Sequence, residues 1–346
     1  MKKSLKIFVL VLITVLTAAL ALSMFACADK VNDTEEATTL RFTAPEGTPA
    51  LAILRLPEDN KTLVGRNMTY EIVAPSNIAA EMSAKKSDLV IMPVNAGATL
   101  IKQGADYKLV SIAVDGSLYM VGRKEQAGEI NIDDILGKKI ACIGKTGVPG
   151  LVFRYVMAKN NVTVKEEGKV NAANREVLVQ YVADGTQART LLLNSETGVD
   201  FAVVGEPAAT NFLNATPLKL NAKMNMQDAY KAACNNAADT YPQAGLFVKS
   251  SLASDANFMT ALYSALKASK DWIAANPDEV DAFAKAHLYE SAAFPKASLT
   301  NCAVNAEKID ETGKTEVITF LKNVAPKSAN GDVNDWDSLK DKLFIK

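Results

Sequence analysis

Two rhythms of hydrophobic and polar positions alternate along the chain. Runs of six or seven residues, dense in Val, Ile, Leu, Phe and Tyr, predict strands: TLRFTA (39–44), TYEIVAP (69–75), DLVIMP (88–93), KLVSIAV (108–114), LYMVGR (118–123), KKIACIG (138–144), EVLVQYV (176–182), DFAVVG (200–205) and AGLFVKS (244–250). Between them, ALAILRLPED (50–59), NIAAEMSAKK (77–86), NAGATLIKQG (95–104), GLVFRYVMAKN (150–160) and TQARTLLLNS (186–195) return an apolar residue every three or four positions, the spacing of one helix face. Strands alternating with helices predict parallel sheets covered on both faces. Beyond residue 250 the pattern is wholly helical, through Asp255–Ala275, Pro277–His287 and Thr315–Asn323. The pattern describes an α/β body with a helical tail.

The body contains an internal echo. GTPALAI (47–53) and GVPGLVF (147–153) share Gly-x-Pro-x-Leu, each after an apolar strand and before an apolar helix, which suggests two similar lobes. Glycine lets the backbone approach a ligand closely, and proline at a helix start forfeits no hydrogen bond, because the first amides are unpaired there. Those amides, with the helix dipole, favour an anionic or carbonyl-like group. In open α/β sheets ligands bind at the carboxyl ends of the strands. The loops expected to line such a cleft are Pro45–Pro49, Pro93–Gly97, Asp115–Ser117, Lys145–Val148, Gly205–Pro207 and Thr240–Gln243.

The amino terminus changes where this body is expected to work. Lys2, Lys3 and Lys6 precede the apolar stretch from Ile7 to Leu22, and Ala26 stands before Cys27, which is the layout of an export signal over residues 1–27. Sixteen residues is short for a membrane span, which takes about 20. Ser23-Met24-Phe25-Ala26-Cys27 resembles a bacterial lipobox, so Cys27 is the expected lipidation site. Residues 28–38 are polar and acidic, as suits a flexible linker. Without the three signal lysines, 35 of the 38 basic residues remain against 39 acidic ones, a net charge near −4. That mixed surface excludes a basic nucleic-acid-binding face.

Three cysteines remain beyond Cys27. Cys142 sits in an apolar run as a small hydrophobe, while the sequence leaves open whether Cys234 and Cys302 pair. A chain with one histidine, His287, offers no Cys/His metal spacing and no metal or cofactor is expected. No nucleophile elbow or phosphate-binding glycine loop is present; GKTG (144–147) lacks the spaced glycine before its lysine.

The stretches MPVNAGATLIKQGADYKLVSIAVDGSLYMVGR (92–123), VGEPAAT (204–210) and YPQAGLFVKSS (241–251) resemble the nitrate/sulfonate/taurine class of ABC-transporter substrate-binding proteins, a class that includes binders of thiamine-pyrimidine precursors. The resemblance covers most of 39–290. It implies a type II periplasmic-binding-protein fold: two α/β lobes, 39–117 with 245–346 and 118–244, joined by two crossing strands around a ligand cleft. It also implies a monomeric, lipid-anchored receptor outside the cell membrane that hands a small solute to a permease and its ATPase. An enzyme on the same scaffold, acting like a pyrimidine synthase or a chorismate dehydratase, is the alternative, since fold does not fix function.

Within the cleft loops, Glu46, Gly47, Thr48, Asn95, Asp115, Ser117, Tyr119, Lys145, Thr146, Gly147, Glu206 and Tyr241 are the expected ligand contacts. Thr48, Asn95, Ser117 and Thr146 offer short hydrogen-bonding groups beside helix starts, where such residues also serve as caps. Glu206 begins a helix, Lys145 would face an anion, and Tyr119 and Tyr241 either line the cleft or fill the hinge. No cleft arginine is evident to clamp a sulfonate in bidentate fashion.

Overall fold

Each apolar run of the body becomes a strand, and the strands form two sheets. The computed structural model describes residues 38–194, 198–328 and 331–345. The signal segment, Cys27 and nearly all of the linker lie outside the described residues, as does the last residue of the run ending at 195. The first sheet is built from β1 (Thr39–Pro45), β2 (Thr62–Leu63), β3 (Arg66–Val73), β4 (Leu89–Pro93) and β5 (Tyr107–Asp115). The chain then passes to a second sheet of β6 (Leu118–Gly122), β7 (Gly128–Glu129), β8 (Lys139–Ile143), β9 (Thr163–Lys165), β10 (Glu176–Val182), β11 (Phe201–Gly205) and β12 (Ala222–Asn225), and returns to the first as β13 (Pro242–Lys249). The spatial orders are β2-β3-β1-β4-β13-β5 and β7-β12-β6-β11-β8-β10-β9.

The sheets are mixed, where the alternating pattern predicts parallel ones. β1 runs parallel to β3 and β4, and β8 parallel to β10 and β11. β13 is antiparallel to β4 and β5, and β6 is antiparallel to β11 and β12. Connectivity gives the reason. β5 ends at Asp115 and β6 begins at Leu118, so the chain enters the second sheet at the edge where β8 and β11 end. It has no length in which to turn round and must run against them. β13 repeats this in reverse, with Pro242 opposite Asp115 and Ala244 opposite Pro93. Two short crossings therefore set the carboxyl edges of both sheets toward each other.

Burial follows the layers. β4 and β11 are apolar throughout and buried except at their last residue, as expected of strands covered on both sides. The tail covers one face of the first sheet with the helix Ala256–Ala275, whose Phe258, Leu262 and Leu266 pack with Phe42 and Leu246. Asp255 caps this helix by accepting from the Phe258 amide at 3.0 Å. The opposite face is covered by the helices Val94–Lys102 and Glu311–Val324, with Val90, Met92 and Phe247 in the same core. That core continues past Tyr230, Tyr241 and Phe320 to Met120, Cys142 and Phe153 of the second sheet. Residues Thr39–Lys346 accordingly cluster as one unit. The run 50–59, predicted as a single helix, is instead two short turns, Thr48–Leu51 and Leu56–Asp59, the second with Pro57 in its first turn. A proline inside a continuous helix would cost a hydrogen bond and clash with the preceding turn. No helix among the described residues is long and apolar enough to cross a membrane.

Candidate functional site

The loops that end β1, β4, β8 and β11 meet at the junction of the two sheets. After β1, Gly47 takes φ 90°, a conformation that favours glycine, and starts the turn Thr48–Leu51 with Pro49 in its first positions. The Gly47 amide donates to the Tyr289 hydroxyl at 3.0 Å, so a tyrosine from the tail occupies this orphan donor. Thr48, almost fully buried, donates through Oγ1 to the Glu206 carbonyl of the opposite lobe at 2.7 Å. After β4, Asn95 opens the helix Val94–Lys102 and donates through Nδ2 to the Thr146 carbonyl at 2.9 Å, again across the junction. Its Oδ1 is buried without a hydrogen-bond partner. Gly147 stands at the N-cap of Val148–Lys159, with its amide turned to the Gly144 carbonyl at 3.1 Å. Each Gly-x-Pro turn therefore takes part in a bond to the facing sheet, one through Thr48 and the other through Thr146.

Glu206 is held within its own lobe. Its carboxylate accepts from the amide and hydroxyl of Thr210 at 3.0 and 2.8 Å, which satisfies a first-turn amide of the helix Ala208–Asn214. Asn301 reaches the same carboxylate at 3.5 Å, and Asn211 donates to the Ala293 carbonyl at 3.0 Å, adding two more links between the lobes. Ser117 is locked between the crossings. Its amide donates to Gln243 Oε1 and its Oγ accepts from Gln243 Nε2, both at 3.0 Å, while its carbonyl accepts the Glu206 amide at 2.9 Å.

Tyr119 is buried beside these groups with the Lys223 ammonium 5.7 Å from its ring centre. Burial, followed by the charges of Glu206 and Asp228, pushes its hydroxyl up to about 12. Burial lifts Tyr289 to about 12 as well, against the opposing hydrogen bond from Gly47. Cys302, fully buried, is likewise raised to about 12 by burial, with Thr48 bonding its thiol and Glu206 adding negative charge. The junction thus presents neutral hydroxyls, a neutral thiol, an amide oxygen and one hydrogen-bonded carboxylate. This set of donors and acceptors can hold a polar molecule through hydrogen bonds.

The other expected contacts differ in exposure and pairing. Lys145 is exposed and its charge is taken by Glu166 at 2.6 Å. Glu46 is exposed. Asp115 and Tyr241 line a cavity beside the hinge, where Tyr241 donates to Gln227 Oε1 at 2.7 Å within the core. His287 is exposed, stacked on Phe283 with its Nδ1 3.6 Å from Glu58. Cys142, Cys234 and Cys302 are all free thiols, which answers the question of a 234–302 bridge. Tyr289, Asn301 and Cys302 are junction residues without a sequence signal, because they lie in the helical tail, far along the chain from the strand-end loops.

No family model and no curated protein matches this sequence. Solved structures do resemble it. An ABC transporter protein from Parabacteroides distasonis superposes with a TM-score of 0.68 at 17% identity, covering 89% of this chain and 99% of its own. The periplasmic aliphatic sulphonate-binding protein of Escherichia coli gives 0.60 at 10% identity, over 82% and 85%. A Candida albicans protein described as exhibiting the generic periplasmic binding protein fold gives 0.56 at 12% identity, over 89% and 97%. With strand-end loops meeting between two sheets joined by two crossings, this chain has the periplasmic-binding-protein fold, the fold of ABC-transporter substrate-binding proteins.

Proposed function

We propose that the chain is the extracytoplasmic solute-binding lipoprotein of an ABC importer, anchored through Cys27, which closes its lobes on a small polar or anionic organic solute and delivers it to a permease. The sulfonate, taurine and nitrate types are the first to test. One observation carries this reading: strand-end loops of opposite lobes face each other with buried polar side chains, and Asn95 Oδ1 among them has no partner. A buried acceptor left unpaired costs about 1–3 kcal/mol, which a solute that donates a hydrogen bond there would recover. Thr48 and Asn95 from one lobe and Thr146 and Tyr119 from the other are the groups that would hold it. Closure around the solute is then the form that the permease reads.

Thermal shift and calorimetry with alkanesulfonates, taurine, nitrate and pyrimidines test the proposal. A true ligand at a hundred times its Kd stabilises the folded chain by about 2.7 kcal/mol, a readily measured rise in Tm. Asn95→Ala and Thr48→Val should each weaken that ligand about tenfold or more while leaving the fold intact. A correctly folded chain that no small solute stabilises would overturn the reading. Replacement of Cys27 by alanine should release the chain from the membrane fraction.

A further inference from the structure

Asn95 uses only one end of its amide. Its Nδ2 donates to the Thr146 carbonyl at 2.9 Å, while its Oδ1 has no partner, although the residue is only 9% exposed. The Thr146 carbonyl fixes which end is left over. A carbonyl oxygen can only accept, so it must face the amide nitrogen, and the unpaired group is an acceptor. The donors of the same loops are already engaged. The amides of Gly47, Gly147, Glu206 and Thr210 go to the Tyr289 hydroxyl, the Gly144 carbonyl, the Ser117 carbonyl and the Glu206 carboxylate, at 2.9 to 3.1 Å. The Thr48 hydroxyl goes to the Glu206 carbonyl at 2.7 Å. Amides at helix starts are what a bare anion would need.

The buried charge at the junction is negative. Glu81 and Glu206 are the two charged side chains buried among the described residues. Glu81 has Arg41 at 3.1 Å, whereas Glu206 makes no ion pair among the described residues and is held by hydrogen bonds from Thr210 and Asn301. The basic groups nearby are engaged as well. Lys145 faces Glu166, Arg154 donates to the Lys145 carbonyl and the Tyr181 hydroxyl at 2.7 and 3.0 Å, and the exposed Lys223 stands over the Tyr119 ring. A buried carboxylate without a cation repels an anion, and attracts a cation, more strongly than one in water does.

We propose that the solute of the junction carries a protonated nitrogen, an ammonium or amidinium, whose N–H donates to Asn95 Oδ1 in the field of the Glu206 carboxylate. The inference rests on the solute-binding function proposed above and narrows its substrate class. Cations and zwitterions fit the junction, while nitrate and simple alkanesulfonates do not. A charged N–H both satisfies an acceptor and offsets a carboxylate. A bare anion would leave Asn95 Oδ1 unpaired and meet Glu206 with the wrong sign.

Calorimetry on the whole chain with matched probes tests the assignment. Taurine is set against propane-1-sulfonate, which has a methyl in place of the ammonium, and benzamidinium against benzoate, with sodium nitrate as the bare anion. Taurine or benzamidinium should bind about tenfold or more tightly than its partner. Glu206→Gln, which keeps an acceptor for Thr210, should weaken that probe about tenfold. Asn95→Leu should do the same, whereas Asn95→Asp retains an acceptor oxygen and should retain binding. Propane-1-sulfonate, benzoate or nitrate binding as tightly as the nitrogen-bearing probes would overturn the inference and leave the receptor function standing. Silence of all five probes at millimolar concentration would overturn it too, as would equal losses in Asn95→Asp and Asn95→Leu. If Glu206→Gln fails to fold, the two Asn95 variants still decide it. The receptor function itself falls only with the wider solute screen.

Discussion

Asp115 and Gly116 show how single residues set the hinge. Burial raises the Asp115 carboxyl to about 6, partly offset by the Asn305 amide and reinforced by Glu316. In the unfolded chain an aspartate titrates near 3.9, so between the two values the folded form binds the proton more tightly. Its contribution to stability is full below the unfolded value and is lost as pH rises through about 6. Urea denaturation should therefore show Asp115→Asn to be more stable than the parent near neutral pH, by about 1 kcal/mol after allowance for partial exposure. The two curves should converge below about pH 4, and a constant offset across the range would contradict this origin. Gly116 is fixed by space rather than by charge. A Cβ there would stand 2.7 Å from Gln227 Cγ, 2.8 Å from Thr240 Oγ1 and 3.0 Å from the Tyr241 ring. Gly116→Ala should cost about 1–3 kcal/mol in a denaturation midpoint, because the neighbours are themselves hydrogen-bonded across the hinge.

At the scale of elements, the helix Val94–Lys102 lies close enough to β13 that only glycine fits at 97. An added methyl would come within 2.2 Å of the Phe247 ring. Gly97→Ala should lower stability by about 1–3 kcal/mol, and Phe247→Leu in the same chain should restore part of it. The same displacement should weaken solute binding, since this helix carries Asn95. The helix was legible at 95–104 because its apolar residues recur at helical spacing over three turns. So were nine strands, whose apolar runs are long enough to bury. β2, β7, β9 and β12 have only two to four residues each, too few to show a period. The hairpin between β2 and β3 turns on Val64 and Gly65, both at positive φ, a turn for which valine gives no warning. The helix expected to begin at Glu206 is Ala208–Asn214, whereas the short helix Met226–Ala233 was missed, since it spans too few turns for an apolar stripe to stand out.

For the whole molecule, the junction is the element of interest, because bonds from Thr48, Asn95, Asn211 and Asn301 tie the lobes together there. A chain carrying both Thr48→Val and Asn95→Ala should populate a more open form, read as a larger radius of gyration in solution scattering. Added ligand should reverse that expansion only in the parent. An unchanged scattering curve would mean that the core running through Tyr230, Tyr241 and Phe320 alone holds the lobes. That core is the reason opening must act as a hinge rather than as separation of two independent bodies.

The amino-acid sequence by itself determined the alternation of strands and helices, the helical tail and the two Gly-x-Pro turns. These depend on neighbours within a few residues, and periodicity and turn chemistry are written locally. Only the tertiary structure decided the direction of β6 and β13, since each follows from the edge at which the chain enters a sheet. It also decided that Asp115 and Tyr241 line the hinge cavity while Tyr289, Asn301 and Cys302 reach the junction. Gly47 and Tyr289 stand 242 residues apart in the chain and 3.0 Å apart in space. A contact of that kind is settled by how layers stack, which no local pattern of residues records.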